Sequence, residues 1–231
     1  MPKILVIGCG NVGSVGLHKM ARNPEIFSEI HVVSRTRKKC DPVNESIIKK
    51  TKGKVSLKIH QSDIGRGNNF YVLLKKVNPD LVVHWGHPYD NLVVMDACLK
   101  YGVNYIDTAC YEHPEKYGFS YKLQLAKNQA FKKKSLLAIT GMGFDPGVTN
   151  IFSAYARDFL FDKIETIDIL DCNGGSKDKK IKFAPNFDPE INLRELILPV
   201  EFWENGKWKT RGRLIDEEAA FFEFNFPQAG I

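Results

Sequence analysis

The chain has 231 residues, 43% of them hydrophobic and 26% charged, with a net charge of +6. That is ordinary composition for a soluble globular protein, enough for one large domain or two small ones around a proper core. It argues against a membrane span, because no apolar run approaches the ~20 residues required, and against nucleic acid, because the basic residues fall in short scattered clusters rather than on one stripe with interleaved aromatics.

The N-terminus, "MPKILVIG", enters a strand pattern directly, without a charged-then-apolar leader. The five cysteines (Cys9, Cys40, Cys98, Cys110 and Cys172) are odd in number and contain no C-x-x-C pair. Reduced thiols and a cytoplasmic location are therefore expected.

Lys3–Ile7 is a continuous apolar run, as suits a buried parallel strand. Gly8-Cys9-Gly10-Asn11-Val12-Gly13 follows it and opens a helix to about Arg22. Glu29–Val33 reads as a second strand. Asp41 and Pro42 suggest an N-cap and first-turn proline for a helix ending before Gly53. Lys54–Ile59 alternates as a third strand, with Asp63 just beyond it. A helix over 67–77, a strand over Pro79–Trp85 and a helix over Asp90–Tyr101 closed by Gly102 come next. A fifth strand (Val103–Asp107), a long amphipathic helix (115–134) and a sixth strand (Ser135–Thr140) complete the series. This β-α alternation predicts a doubly wound, Rossmann-type α/β sheet over residues 1–148.

The pattern changes beyond Thr149. A helix to about Phe159 precedes strand candidates at Lys163–Asp171, Leu193–Trp203 (interrupted by Pro199) and Ala219–Phe226. An α+β second domain built on an antiparallel or mixed sheet is the reading for 149–231.

G-x-G-x-x-G is weak evidence alone, but here it lies between a strand and a helix at the start of a β-α-β unit. Its glycines permit the tight turn, the close approach to a pyrophosphate and the packing of helix on strand. About 20 residues on, an NAD site places an acid on the ribose 2′-hydroxyl. This chain has Ser34-Arg35-Thr36 there. A guanidinium and two hydroxyls suit a 2′-phosphate, which a carboxylate would repel, so the expected cofactor is NADP(H).

Ligands of such sheets lie beyond the carboxyl ends of the strands. Asp63, the "HWGHPYDN" stretch (84–91) and Asp107-Thr108 therefore line one crevice, together with "TGMGFDPGVTN" (140–150). A plain N-cap role for Asp145 is the competing reading of that last segment. His84-x-x-His87 lacks a third ligand at metal-like spacing, and positioned loop histidines are expected instead.

With these motifs the chain resembles the saccharopine dehydrogenase family, most closely its carboxynorspermidine dehydrogenase (carboxynorspermidine synthase) branch. The matching stretches are Gly8–Gly13, "SRT" at 34–36, "MDACLKYGVNYIDTACYE" (95–112), "GFDPGVTN" (143–150), "LDCNGG" (170–175) and "NFDPEINLRE" (186–195). The resemblance implies NADPH-dependent condensation of an amine, such as 1,3-diaminopropane or putrescine, with aspartate β-semialdehyde. It implies pyrophosphate contacts from Gly8, Gly10, Asn11, Val12 and Gly13, and 2′-phosphate contacts from Ser34, Arg35 and Thr36. Asp63, His84, Pro88, Thr108, Asp145 and Pro146 would follow the cofactor from adenine to nicotinamide. By the same resemblance 149–231 would be an incomplete α+β substrate-binding and dimerisation domain, and a homodimer is implied for full-length members.

Asp107, Tyr111 and Asp145 are candidates for orienting substrate or relaying protons. Glu190 and Arg194 would serve the charged ends of an amino-acid substrate, or simply pair along a helix face. A saccharopine-type amino-acid imine reductase and a non-catalytic NADP(H)-binding module are the alternatives. Two departures from the family stand out. His84-Trp85-Gly86-His87 replaces an Asn and small apolar residues, with consequences for cofactor fit. The family also continues beyond the aromatic run that ends this chain, which gives the expectation of a truncated reading frame with low activity by itself.

Overall fold

The computed structural model describes residues 2–114, 120–172, 188–213 and 223–227. The chain divides into two units: Met1–Glu112 with Tyr121–Asn150, and His113–Ser120 with Ile151–Ile231.

The first unit is built on a six-stranded parallel sheet. Its strands are β1 (Lys3–Ile7), β2 (Glu29–Ser34), β3 (Lys58–Gln61), β4 (Leu81–His84), β5 (Asn104–Asp107) and β6 (Ala138–Ile139), in the order 3-2-1-4-5-6. That is the dinucleotide-binding order, whose direction reverses between β1 and β4. Helices α1 (Asn11–Ala21), α2 (Asp41–Lys50), α3 (Asn69–Val77) and α4 (Asn91–Tyr101) link successive strands.

Period-two alternation sends strand residues to opposite faces. Ile4, Val6, Ile30 and Val32 pack with Leu17 of α1 and Ile47 of α2, while Leu5, Ile7, Val82 and Tyr105 pack with Phe70, Leu74 and Met95 of α3 and α4. Helix α3 buries Phe70, Leu73, Leu74 and Val77, the i, i+3, i+4, i+7 stripe that a core-facing helix needs. Gly102, at φ +72°, closes α4 as expected.

Several element boundaries differ from the sequence reading. Lys54–Leu57 is not strand, although Val55 and Leu57 are buried. Its N–H groups turn to side chains of the preceding segment: Leu57 N donates to Asn44 Oδ1 (2.7 Å) and Val55 N to Thr51 Oγ1 (3.2 Å). The long helix predicted over 115–134 is two short ones, α5 (Lys122–Leu125) and α6 (Asn128–Lys133), with 115–119 outside the described residues. The sixth strand is short because Ser135 and Leu136 close α6, their N–H groups bonding Lys132 O and Phe131 O. Cys40, not Asp41, is the N-cap of α2; Asp41 occupies the first turn and pairs with Arg37 (3.4 Å).

Helix α7 (Val148–Phe159) spans the point where the first unit gives way to the second. The second unit contains α8 (Pro189–Ile197), capped by Asp188 Oδ1 accepting from Glu190 N at 2.9 Å. Residues 193–197, expected as strand, are thus helix. The antiparallel hairpin β7 (Val200–Glu204) and β8 (Lys207–Arg211) follows. Its turn residues Asn205 and Gly206 have φ of 51° and 75°, as a two-residue hairpin favours. Lys163–Asp171 pairs with no described strand, so the alternation there is not realised as sheet among the described residues. Most of the Ala219–Phe226 candidate lies outside the described residues.

Candidate functional site

The carboxyl ends of β1, β2, β4, β5 and β6 converge on one edge of the first unit. Gly8 leaves β1 at φ +98°, donating its N–H to Val33 O at 3.0 Å. A Cβ there would stand 2.7 Å from Trp85 O, and one on Gly13 would stand 2.3 Å from Gly8 O. The loop is therefore wound so tightly against α1 and β4 that neither position admits a side chain. Gly10 is different: a Cβ there meets nothing within 4 Å.

Gly10 is also the N-cap of α1, which has no side-chain cap and no acidic residue in its first turn. Asn11 and Val12 are exposed beside it. The open space before Gly10 and the uncapped end of an 11-residue helix fit the pyrophosphate of a dinucleotide.

The Trp85 indole packs on α1, where a Cβ at Gly16 would come within 2.1 Å of its ring. Its bulk is thus absorbed by a helix glycine that the sequence reading had not connected with it.

At the end of β2, Ser34 is half-buried while Arg35 and Thr36 are exposed. Thr36 N donates to Ser34 Oγ (3.3 Å), and Arg35 Nη2 lies 3.0 Å from His87 Nε2. Asp63 follows β3 and pairs with Arg66, Oδ2 to Nε 3.1 Å. Burial raises the carboxyl of Asp90 above its usual range, with nearby His87 lowering it and Asp63 raising it.

His84 is the last residue of β4 rather than a loop residue, and its side chain is buried. Burial pushes it from 6.5 down to about 4, so it is a neutral core imidazole lying beneath the crevice. Pro88 is buried as well.

Asp107 ends β5 with its carboxylate fully engaged. Oδ2 accepts from Tyr105 Oη (2.7 Å) and Gln124 Nε2 (2.7 Å), and Oδ1 accepts from Gly141 N (2.7 Å). Burial still raises it from 3.8 to about 6. At 1% exposure it ties β5 to Gln124 and to the loop after β6. Tyr111 is half-buried, its N–H donating to Gln124 Oε1 at 2.6 Å.

The loop after β6 folds back on itself. Gly143 N donates to Pro146 O (2.9 Å) and Val148 N to Gly143 O (3.1 Å), while Gly143 lies against Thr108 O. The Asp145–Pro146 peptide is cis and the helix begins only at Val148, so Pro146 precedes α7 rather than sitting in its first turn. Asp145 is exposed and accepts from Thr149 Oγ1 at 3.1 Å. In the second unit, Arg194 and Glu190 pair at i,i+4 (3.6 Å), and Arg194 also reaches His113 O (3.4 Å).

Gln124 escaped sequence reasoning, and Asn91 was included only as the end of the 84–91 stretch. Gln124 joins Asp107 to Tyr111, and Asn91 donates to Ala109 O at 2.9 Å, fastening the loop after β5 to the start of α4. Each is a polar residue at a helix start, a pattern shared by many residues with no such task.

Residues 4–139 match the saccharopine dehydrogenase NADP-binding domain. The chain is 40% identical over 230 residues to a carboxyaminopropylagmatine dehydrogenase of Synechocystis sp. and 39% identical over 238 residues to a carboxynorspermidine synthase of Vibrio alginolyticus. The matches take in 100% and 98% of this chain but 55% of each relative, so the chain spans about half the length of the curated relatives it matches. Among solved structures it is similar to saccharopine dehydrogenase (L-Glu forming) from Saccharomyces cerevisiae, with a TM-score of 0.60 at 16% identity over 97% of this chain and 47% of that one, a likeness of fold.

Proposed function

Because this chain belongs to the saccharopine dehydrogenase family of oxidoreductases, we propose that it serves NADPH-dependent reduction of an imine in polyamine synthesis. The imine forms, with loss of water, between a primary amine and aspartate β-semialdehyde. NADPH, held by the residues named below, would supply the hydride for the imine carbon, and a proton on nitrogen would complete the secondary amine. With 1,3-diaminopropane or putrescine the product is carboxynorspermidine or carboxyspermidine. The relative named for carboxyaminopropylagmatine makes agmatine a second candidate amine. A cytoplasmic location belongs to the same reading.

The observation that carries the cofactor choice is the end of β2. Ser34, Arg35 and Thr36 follow β2, where an NAD site needs an acid, and Arg35 lies 3.0 Å from His87 in the loop after β4. The chain's own residues then divide the work. Gly10 and the start of α1 seat the pyrophosphate, and Arg35 with its hydroxyl neighbours holds the 2′-phosphate. Asp107 fixes the Gly141 loop against β5. Among the three acid–base candidates, Asp145 alone is exposed, and it is assigned the contact with the substrate amine.

Fluorescence titration with NADPH and NADH tests the cofactor, followed by NADPH oxidation with aspartate β-semialdehyde and a panel of 1,3-diaminopropane, putrescine and agmatine. The expected result is at least about tenfold tighter NADPH binding, reversed or abolished by Arg35→Glu. Equal affinity for the two carriers would overturn the reading. NADPH binding without turnover of any amine would leave a dinucleotide-binding module in place of an enzyme.

A further inference from the structure

We propose that His87 is a specificity-determining residue for the 2′-phosphate, acting as a built-in placeholder on Arg35. The inference rests on the NADPH reading above.

Arg35 follows β2 and His87 follows β4, the two strands that flank β1. Fifty-two residues apart, they meet at 3.0 Å, Nη2 to Nε2. A guanidinium has donors only, so at this distance Nε2 must be the acceptor and the imidazole carries its proton on Nδ1. The ring is itself supported, because Tyr89 stacks on it with centroids 5.9 Å apart and planes 12° from parallel, and Pro88 between them is buried. A rigid turn thus holds the one end of a long, exposed side chain that must be in place when the ligand arrives.

The chemistry of the partner matters. A carboxylate at position 87 would neutralise Arg35 and repel the incoming phosphate. An aliphatic side chain would leave the guanidinium unplaced. A neutral imidazole does neither. Its lone pair orients the fork without cancelling the charge, and it yields to a phosphate oxygen, which is the stronger acceptor for a guanidinium. Once displaced, the same ring can carry its proton on Nε2 instead and donate to the phosphate. Arg35 and His87 then close on the 2′-phosphate from two strands.

Calorimetric titration of the full chain with 2′-phospho-ADP-ribose and with ADP-ribose isolates this contact, since both ligands lack nicotinamide. His87→Leu is expected to weaken the phosphorylated ligand about tenfold and leave ADP-ribose unchanged. His87→Gln, whose amide oxygen can still accept from Arg35, is expected to stay within about threefold of the parent. His87→Glu should abolish the preference altogether. A parent chain that does not distinguish the two ligands would remove the NADPH reading itself. A parent that distinguishes them, alongside a Leu variant that does so equally well or that loses both ligands in parallel, would overturn the role of His87 alone. If the Leu variant does not fold, the contrast between Gln and Glu decides the matter in the same way.

Discussion

Tyr105 Oη donates to Asp107 Oδ2 at 2.7 Å while lying 3.5 Å from His84 Nδ1. One buried phenol therefore stands between a carboxylate and an imidazole that face each other across β4 and β5, where His84 and Asp107 are register partners. Burial moves the two in opposite directions, Asp107 from 3.8 up to about 6 and His84 from 6.5 down to about 4.

The consequences for stability are opposed. The folded chain keeps the Asp107 proton between about pH 4 and 6, where the unfolded chain has released it. Its contribution is present at low pH and lost as pH rises through 6. The unfolded chain takes up the His84 proton below 6.5 while the folded ring stays neutral, so that contribution is lost as pH falls from 6.5 towards 4. Each amounts to roughly 3 kcal/mol at ~1.4 kcal/mol per pH unit, and they nearly cancel. Asp107→Asn should therefore expose a loss of stability on acidification between pH 6.5 and 4, and His84→Phe a gain. Glu29, held down to about 2 chiefly by the His31 bond, acts mostly below this window. Urea midpoints measured across pH for both variants check the sign, and slopes of the same sign would contradict the pairing.

Much of the first unit was legible because its signals are local. The apolar run of β1, the glycines after it, the stripe of α3 and Gly102 all follow from residues close in sequence. What the chain hid depends on distant partners. The alternation of Val55 and Leu57 is real burial, yet Asn44 and Thr51 take the N–H groups that a strand would need. His84 looked like a loop histidine because nothing local tells that Tyr105 and Asp107 lie beside it. In the second unit, the Asn205-Gly206 turn and the strand after it went unread, and the apolar residues before them suggested strand where Asp188 caps a helix instead.

Gln124 is expected to matter more than its place in a four-residue helix suggests. Its amide donates to buried Asp107 and accepts from the N–H of half-buried Tyr111. Gln124→Leu leaves a buried carboxylate oxygen and a backbone N–H short of a partner, a loss of about 2–4 kcal/mol. Gln124→Glu cannot donate to Asp107 and sets two carboxylates face to face, so it should be at least as harmful. Thermal melts of the two variants measure this, and a melting temperature within a degree of the parent for both would refute it.

The thiols should separate by burial. Cys172 is exposed and Cys110 half-buried, whereas Cys9, Cys40 and Cys98 are buried. Burial, followed by the neighbouring Cys40, pushes the Cys9 thiol up to about 12, and burial also raises Cys98, which starves both of reactive thiolate. Disulfide-exchange labelling of the native chain should modify Cys172 first and Cys110 more slowly, with the other three reacting only on denaturation. Peptide mapping reads the order; Cys9 labelled as fast as Cys172 would show the glycine loop to be open in solution.

The glycines of that loop and of α1 divide into those that the fold requires and one, Gly10, that has open space before it. At Gly13 a Cβ would press on the Gly8 carbonyl, and at Gly16 it would strike the Trp85 ring. Ala at either position is expected to destabilise the fold by roughly 1–3 kcal/mol through overpacking. Gly10 has open space before it and a backbone, φ −82°, that any residue adopts. Gly10→Ala should therefore lower stability by about 1 kcal/mol or less, the difference between Gly and Ala as an N-cap. Yet its methyl group would stand where backbone must approach a pyrophosphate, so dinucleotide affinity should fall about tenfold or more. Melting temperatures and NADPH titrations on the three variants separate the two effects. If Gly10→Ala binds NADPH as the parent does, the pyrophosphate does not cross the start of α1.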